Sequence, residues 1–251
     1  MESVKDLILR MADDALIIGH RNSEWTGIGP MLEEDISFSS MAQDKIGHAQ
    51  ALYNILHEQF NMEVPDFIAF RRNASDFKSC QFVELPIGDY AFTLVRHYLF
   101  DHAESFRYNY LSNSTFLPLK SLATKFKGEI KYHTLHADIW MKCLTLNGNE
   151  ESKLRIQSAV DELLPYAMGM FELGNYESDL IVNGIFVGEL ALQNKWHSFI
   201  TESLNSFNIK VPVIKDGEIK LGGRRGYHLT ELENLINEMT EVIRTDYTTE
   251  W

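Results

Sequence analysis

Apolar residues recur every three or four positions over long stretches of the chain, which is the pattern of amphipathic helices. After Phe38, for example, they recur at Met41, Leu52 and Ile55. The pattern predicts helices over residues 3–20, 32–60, 89–112, 117–146, 151–173, 188–206 and 229–244. Pro165 is expected to end or kink the fifth of these, or to divide it into two shorter helices.

The segments between these helices contain turn-forming and helix-breaking residues. "RNSEWTGIGP" joins the first two helices, and "SNSTFLP" joins the third and fourth. The first two helices and the next two form two predicted hairpins, which are separated by a connection at about residues 61–88. The length of this connection suits the crossover of a ferritin-like bundle. "IKVPVIKDGEIKLGGRRGYH" is irregular, and a short strand pair is one interpretation of it. We expect an all-α, single ferritin-like helical domain over 1–251, with a core bundle at 3–146 and additional C-terminal helices and an extension at 151–251.

Composition narrows the functional classes. The net charge of -13 argues against non-specific nucleic-acid binding, because a polyanion would be repelled. No apolar run approaches the ~18 residues of a membrane span, and "MESVKDLILRMADDAL" has acids within its apolar stretch, unlike a signal peptide. A cytoplasmic protein with reduced Cys80 and Cys143 is expected, a single disulfide being the alternative.

Three helices place ionisable residues on their apolar stripes, where burial is costly unless the groups satisfy one another. These residues are Lys45 and His48 in the second helix, Asp101 in the third and His133 in the fourth. A hydrogen-bonded core histidine and a structural Asp–Lys ion pair would explain each of them separately. Two histidines at matching places in two hairpins, with an acid nearby, instead indicate a di-metal layout that has lost carboxylates.

The spacing of the ligands argues against a bound metal. Helical di-iron carboxylate sites use Glu-x-x-His on two helices together with two further acids. Lys45, a cation, lies three residues before His48, and Ile130 lies three residues before His133. We predict that no metal is bound and that the Lys45 ammonium, paired with Asp101, takes the place of the metal charge.

Other ligand-capable residues lie close to these positions. Asp44 and Glu129 precede the two histidines by four residues, but they lie off the stripe and would reach a metal only if the helices rotated. On the first helix Asp13 and Asp14 are candidates for a remaining acid, although Ala15 could equally face inward. Three further residues of this kind are His102, Glu104 and His136. The last of these is expected to face solvent.

The order and spacing of several short motifs resemble the C subunits of the bacterial ring-1,2-phenylacetyl-CoA epoxidase, the phenylacetate-CoA oxygenase of aerobic phenylacetate degradation. The resemblance extends over essentially the whole chain. Its motifs are "LR", "EW" and "P-x-L-E" near the start, "D-x-x-G" in the second helix, "R-x-Y-x-x-D" in the third, "E-x-x-YH" in the fourth, then "IKVP" and the tail "GGRRGYH…EM…W".

The resemblance implies a ferritin-like fold and a non-catalytic structural subunit that pairs with a catalytic A subunit. In the A subunit the stretch equivalent to "QDKIGH" resembles "QDEAGH", so Lys45 and Ile130 stand at two ligand glutamates. By the same comparison His48 and His133 stand at the ligand histidines, and Asp101 matches an acid of the third helix. The site would then be a relic di-iron site, without a metal or other cofactor in this chain.

The resemblance also implies the other components of the complex. The A subunit would hold the di-iron centre, a small B subunit would help assembly, and a reductase with FAD and an iron–sulfur cluster would supply electrons from NADPH. When isolated, the chain could form a homo-oligomer. Neither nucleic acid nor a membrane is an expected partner.

Two motifs outside the bundle core have alternative interpretations. Arg224 and Arg225 lie in the glycine-flanked "GGRRGYH", where they could contact phosphates of CoA or acids of a partner, or form a solvated basic turn. Trp25, Trp196 and Trp251 are expected to be core or interface anchors.

Two other functions are compatible with the sequence. One is a catalytically active di-iron acyl-CoA oxygenase subunit with atypical ligands, namely Asp44, His48, Asp101, Glu129 and His133. The other is a ferritin-like metal-storage protein, against which the cation at Lys45 argues.

Overall fold

Ten α-helices and no strand occur in residues 1–246, the part of the chain that this computed structural model describes. The helices are α1 (Glu2–Ser23), α2 (Leu32–Phe60), α3 (Pro65–Phe70), α4 (Gln81–Glu84), α5 (Tyr90–Leu111), α6 (Leu117–Thr145), α7 (Glu150–Met168), α8 (Glu177–Val182), α9 (Glu189–Ser206) and α10 (Thr230–Thr245). The predicted all-α, ferritin-like class is confirmed. The interpretation of a strand pair before α10 is wrong, because that segment contains two short 3-10 turns instead.

Two helical hairpins of matching size form the bundle. Helices α1 and α2, of 22 and 29 residues, make one hairpin, and α5 and α6, also of 22 and 29 residues, make the other. The connection between the hairpins includes α3 and α4 and forms the predicted crossover. The C-terminus of α2 is capped by Asn61, which adopts a left-handed conformation, and the N-terminus of α5 is capped by Asp89, whose carboxylate accepts from the Phe92 N–H.

Helix α7 runs through the proline that was expected to interrupt it. Its N-terminus is capped by Asn149, whose side chain accepts from the Ser152 N–H, and the helix continues three residues beyond Pro165 to Met168. The prediction that Pro165 ends the helix or divides it is therefore wrong. The proline lies in the last turn, three residues before the end of the helix. Its carbonyl accepts from the Lys220 N–H of the C-terminal segment.

Helices α7 and α9 pack onto the second hairpin. Trp196 of α9 is fully buried, and its indole N–H donates to the Leu99 carbonyl of α5 at 3.0 Å. Trp25 is also buried and donates to Thr93 of α5, whereas Trp251 lies outside the described residues. Such contacts are consistent with the predicted single domain, which stays a prediction.

Two further observations concern the state of the cysteines and the character of the helices. Cys80 and Cys143 are both free thiols, so the alternative of a disulfide between them is not realised. Within residues 1–246, none of the helices combines the length and apolar character needed to cross a membrane.

Candidate functional site

A buried ammonium lies inside the four-helix bundle. Lys45 of α2 is fully buried, and its Nζ contacts carboxylate oxygens of both Asp101 and Glu104 on α5. These acids are three residues apart and therefore share a helix face, which lets one cation bridge them. Nζ also lies 5.0 Å from the centroid of the Phe100 ring. Lys45 and Asp101 thus meet as the sequence indicated, together with Glu104.

Lys45, Asp101 and Glu104 form a buried cluster, the Lys45 cluster, and α1 packs closely against it at Gly19. A Cβ added to Gly19 would lie 3.1 Å from Lys45 Cβ, so α1 approaches α2 closely at this level. Neither of the acids that the sequence offered on α1 reaches the cluster. Asp13 accepts from Arg72 and Tyr53, and Asp14 accepts from Arg224.

The charges of the cluster depend on one another. Burial alone would lower the pKa of Lys45, but Asp101 and Glu104 raise it above its ordinary value. Burial opposes the charge of Asp101, yet the Lys45 ammonium, followed by His97, holds its pKa well below the usual range. For Glu104, burial outweighs the attraction of Lys45, and the pKa is raised. Lys45 and Asp101 therefore form the charged core of the site.

Two histidines of the cluster bond to acids at its rim. His48 Nε2 lies 2.6 Å from Glu129 Oε2, and His133 Nε2 lies 3.1 Å from Asp44 Oδ2. Asp44 lies four residues before His48 in α2 but bonds to His133 of α6, and Glu129 lies four residues before His133 in α6 but bonds to His48 of α2. Both contacts therefore cross the α2–α6 interface. Asp44 and Glu129 therefore reach the site without the helix rotation that the sequence analysis required.

The histidines differ in their protonation. Burial, and then repulsion by Lys45 and His133, lowers the pKa of His48 to about 2. Its ring stacks on Phe126, with 3.8 Å between the centroids. Burial opposes the charge of His133 as well, but its acidic neighbours Asp101 and Asp44 raise its pKa. His48 is thus a neutral donor to Glu129, whereas His133 is the histidine that favours a proton.

A third histidine, His97, lies one helical turn before Asp101 on α5 and contacts its second carboxylate oxygen. Burial lowers the pKa of His97 to about 4 in spite of that carboxylate. Asp101 consequently has Lys45 on one oxygen and His97 on the other, while His133 Nδ1 is 3.6 Å away, which is longer than a hydrogen bond.

Next to the cluster lies a second buried polar group. His136 Nε2 is 3.0 Å from Glu34 Oε2, and the Tyr90 hydroxyl donates to the same carboxylate at 2.5 Å. Burial raises the pKa of Glu34, but His136 and Tyr90 outweigh that effect and lower it. The expectation that His136 faces solvent is wrong, because the α2–α6 interface covers it. His102 lies apart and bonds to Asp138 at 2.9 Å.

The residues of the cluster do not fit a di-iron centre. Both central carboxylates are occupied by the Lys45 ammonium, and Ile130 offers an aliphatic side chain where a ligand glutamate would be needed. A cation would meet the Lys45 charge at short range, where repulsion between unit charges amounts to several kcal/mol. Within residues 1–246, no three or more His, Cys, Asp or Glu residues are arranged to hold a metal ion.

Arg224 and Arg225 have different environments. Arg224 is buried, and its two Nη groups donate to both oxygens of Asp14 at 2.8 and 2.7 Å, so the interpretation of a solvated turn is wrong for this residue. Arg225 is exposed and donates to Glu172 at 2.7 Å. The Arg224 fork is filled by Asp14, which leaves Arg225 as the freer of the two for a ligand.

The sequence analysis named Glu104 only as a nearby ligand-capable residue, and it missed His97 and Glu34. Residues 97, 101 and 104 of α5 are spaced by four and three, which is the spacing of one helix face. That spacing could have identified the two α5 residues once Asp101 was placed inward. Glu34 lies in the first turn of α2, where an acid is ordinarily explained by the helix dipole, so it gave no separate signal.

Comparison with known proteins provides the context for this geometry. The family described as "Phenylacetic acid catabolic protein" matches residues 1–251. The chain is 26% identical over 239 residues to the C subunit of the 1,2-phenylacetyl-CoA epoxidase of Escherichia coli (strain K12), an alignment that covers 95% of each chain. These matches confirm the resemblance that the sequence motifs indicated.

Removing the central cation should destabilise the fold strongly. In Lys45→Ala, two buried carboxylates lose their counter-ion, and we expect the free energy of unfolding to fall by about 3–5 kcal/mol. Urea denaturation followed by circular dichroism at neutral pH measures this. Lys127→Ala, at an exposed position of α6, is the matched control and should change stability little. A loss below about 1 kcal/mol for Lys45→Ala would contradict a buried ion pair.

Stability should also fall on mild acidification. His48 and His97 have pKa values of about 2 and about 4 in the folded state, below the ordinary value of about 6.5. At pH values below the ordinary histidine pKa, each of these two histidines binds a proton only in the unfolded state. The free energy of unfolding present at neutral pH therefore decreases as pH falls, by up to about 1.4 kcal/mol per pH unit for each histidine. His133, whose pKa is raised, is protonated in both states there.

Unfolding free energies of His48→Gln measured between about pH 6 and 5 test this dependence. In His48→Gln, the part of the pH dependence of the unfolding free energy that comes from His48 should be absent. His57→Gln, at an exposed position of the same helix, should keep the wild-type pH dependence. Equal slopes for the wild type and His48→Gln would show that His48 is not buried in its neutral form.

Proposed function

The chain belongs to the phenylacetic acid catabolic protein family, and we propose that it is a non-catalytic structural subunit of a multicomponent di-iron monooxygenase. The expected reaction of the complex is epoxidation of phenylacetyl-CoA in aerobic phenylacetate degradation. In this proposal the chain pairs with a catalytic A subunit that holds the di-iron centre. A B subunit and an NADPH-dependent reductase complete the complex.

The observation that carries the non-catalytic role is the position of the Lys45 ammonium. It contacts both Asp101 and Glu104, the carboxylates that would otherwise be available in the bundle core. A bound metal would have to displace an ammonium from two buried acids and then tolerate its charge nearby. With Ile130 at the other expected glutamate position, too few anionic ligands are left for two ferrous ions.

The outer surface of α2 and α6 supports the pairing. The contacts Glu34–His136 and His48–Glu129 show that the two helices run side by side in opposite directions. Each exposes a stripe with spacing i, i+4, i+7 and i+11, so each stripe lies on one side of its helix. The stripes are Ile36, Ser40, Gln43 and Gly47 on α2, and Gly128, Tyr132, Leu135 and Ile139 on α6.

Apolar and glycine residues on these stripes are largely exposed in the part of the chain that the structure describes. Ile36, Leu135 and Ile139 are each more than half exposed. Gly47 and Gly128 lie in the middle of long helices, where glycine costs about 1 kcal/mol relative to alanine. A Cβ at either position would meet nothing within 4 Å. Close approach of a partner helix would account for both glycines and for the exposed apolar side chains.

One observation favours a second candidate, a catalytically active di-iron acyl-CoA oxygenase subunit with atypical ligands. Asp44, His48, Asp101, Glu129 and His133 do lie in one cluster, with each rim acid bonded to a histidine. Removal of the Lys45 ammonium from the centre would be required before these residues could surround a metal pair.

Iron content separates the two candidates. The chain expressed alone in iron-rich medium and analysed for elemental iron should hold well under one iron per chain, because Lys45 occupies the core carboxylates. A co-purified ferritin-like partner with two intact Glu-x-x-His helices serves as the positive control. About two irons per chain in the isolated protein would refute the non-catalytic role and support the alternative.

A bulky residue on the outer stripes should weaken pairing with such a partner. Gly47→Arg and Gly128→Arg should leave the fold intact, since both positions are open, and should each reduce affinity for the partner at least about tenfold, or 1.4 kcal/mol. Biolayer interferometry with the purified chains measures this. Gly217→Arg is the matched control, because Gly217 is also exposed with nothing within 4 Å of its Cβ position. Wild-type affinity in both stripe variants would place the interface elsewhere.

A further inference from the structure

A small basic pocket, separate from the Lys45 cluster, lies where α1, the crossover and the C-terminal segment meet. Its volume is about 220 Å³, and its lining residues are Asp6, Arg10, Lys78, Leu173, Gly174, Asn175, Arg224 and Arg225. Four of the five charged side chains in this lining are cations, although the whole chain has a net charge of -13. The lining of the pocket is thus rich in cations, although the chain as a whole is acidic.

Arg10 is the buried cation of the pocket. It is only 3% exposed, and its Nε lies 3.0 Å from Asp6 Oδ2. The nearest oxygen of Glu189 is 3.7 Å from Arg10 Nη1, too far for a hydrogen bond. That carboxylate is instead held by Arg107, through two bonds of 2.5 and 2.8 Å. The Nη groups of Arg10 therefore have no hydrogen-bond acceptor in residues 1–246.

A glycine leaves the approach to this guanidinium open. A Cβ at Gly174 would lie 2.9 Å from Arg10 Nη2, so any other residue there would crowd the unpartnered donors. Burial lowers the pKa of Arg10 from its ordinary value, although the nearby carboxylates of Glu189 and Asp6 oppose this effect. The Nη groups face the pocket, where an oxyanion could accept charge-assisted hydrogen bonds from them.

Two more cations face the pocket with free donors. Lys78 Nζ donates to the Arg224 carbonyl at 3.3 Å and makes no ion pair within 4 Å in the described part of the chain. Arg225 is 60% exposed at its side chain and uses Nε for Glu172. Arg224, by contrast, is committed to Asp14 and forms part of the wall.

We propose that this pocket binds a tetrahedral oxyanion of the phosphate class, held by Arg10, Lys78 and Arg225. A volume of about 220 Å³ is below the ~300 Å³ at which sites for drug-sized ligands begin, so it suits one phosphate group and not a whole nucleotide. The phosphate can be free or belong to a larger ligand that extends outside, such as the nucleotide part of a CoA thioester. Only this second source rests on the proposed function.

Calorimetric titration of the isolated full chain with inorganic phosphate, at constant ionic strength in chloride, tests the site. We expect saturable binding with one phosphate per chain. Lys78→Ala and Arg225→Ala should each weaken it about tenfold, the effect of one lost charge-assisted hydrogen bond. Arg10→Lys, which keeps the charge but loses the planar fork, should also weaken binding. Lys127→Ala removes the same charge from exposed α6 and should bind phosphate like the wild type.

Two results of these titrations would contradict a phosphate site in the pocket. A dissociation constant weaker than about 1 mM for the wild type would overturn the proposal, and so would equal affinity in the wild type and all three pocket variants. A parallel titration with adenosine 3′,5′-bisphosphate distinguishes the sources. Binding at least about tenfold tighter than that of phosphate indicates a larger ligand, and equal binding indicates free phosphate. Because no partner chain is present, failure of this test leaves the proposed pairing untouched.

Discussion

One buried ammonium shared by two carboxylates determines how the bundle core is built. Lys45 belongs to the first hairpin, whereas Asp101 and Glu104 belong to the second, so the contact ties the two halves of the bundle together. Charges this deep are tolerated only when each has its partner. The surrounding histidines complete that condition: His97 contacts the remaining oxygen of Asp101, and His48 is neutral. Substitutions in this group are therefore expected to be coupled, not additive.

The long helices and the central residues could be predicted because they depend on local periodicity. A three-four spacing of apolar residues defines a helix face, and Lys45, His48, Asp101 and His133 stand on such faces. The direction in which long side chains reach is not contained in that spacing. Asp44 and Glu129 lie off the stripe yet extend across the interface to the opposite histidines. His136 is covered by α2, a neighbour that helix geometry alone does not reveal.

The C-terminal segment was least predictable, since its conformation depends on residues far away in the chain. Arg224 looked like part of a solvated turn, but it pairs with Asp14, 210 positions earlier. The same segment donates Lys220 N–H to the carbonyl of Pro165 and, in place of strands, forms two 3-10 turns. Glycines, lysines and arginines near one another predict a loop, but they do not indicate which buried acid the loop will meet.

Replacing metal charge with a side-chain ammonium changes what the fold depends on. A bundle whose core carboxylates are neutralised by iron gains stability from bound metal, and its folding is linked to metal supply. With Lys45 in the core the counter-charge is covalent and always present, so we expect this chain to fold whether or not iron is available. A subunit that supports a metal-dependent partner benefits from this independence, because it can hold the partner's fold while the partner is still without metal. In the supporting role proposed above, the Lys45 ammonium would therefore make the fold of this chain independent of a bound metal.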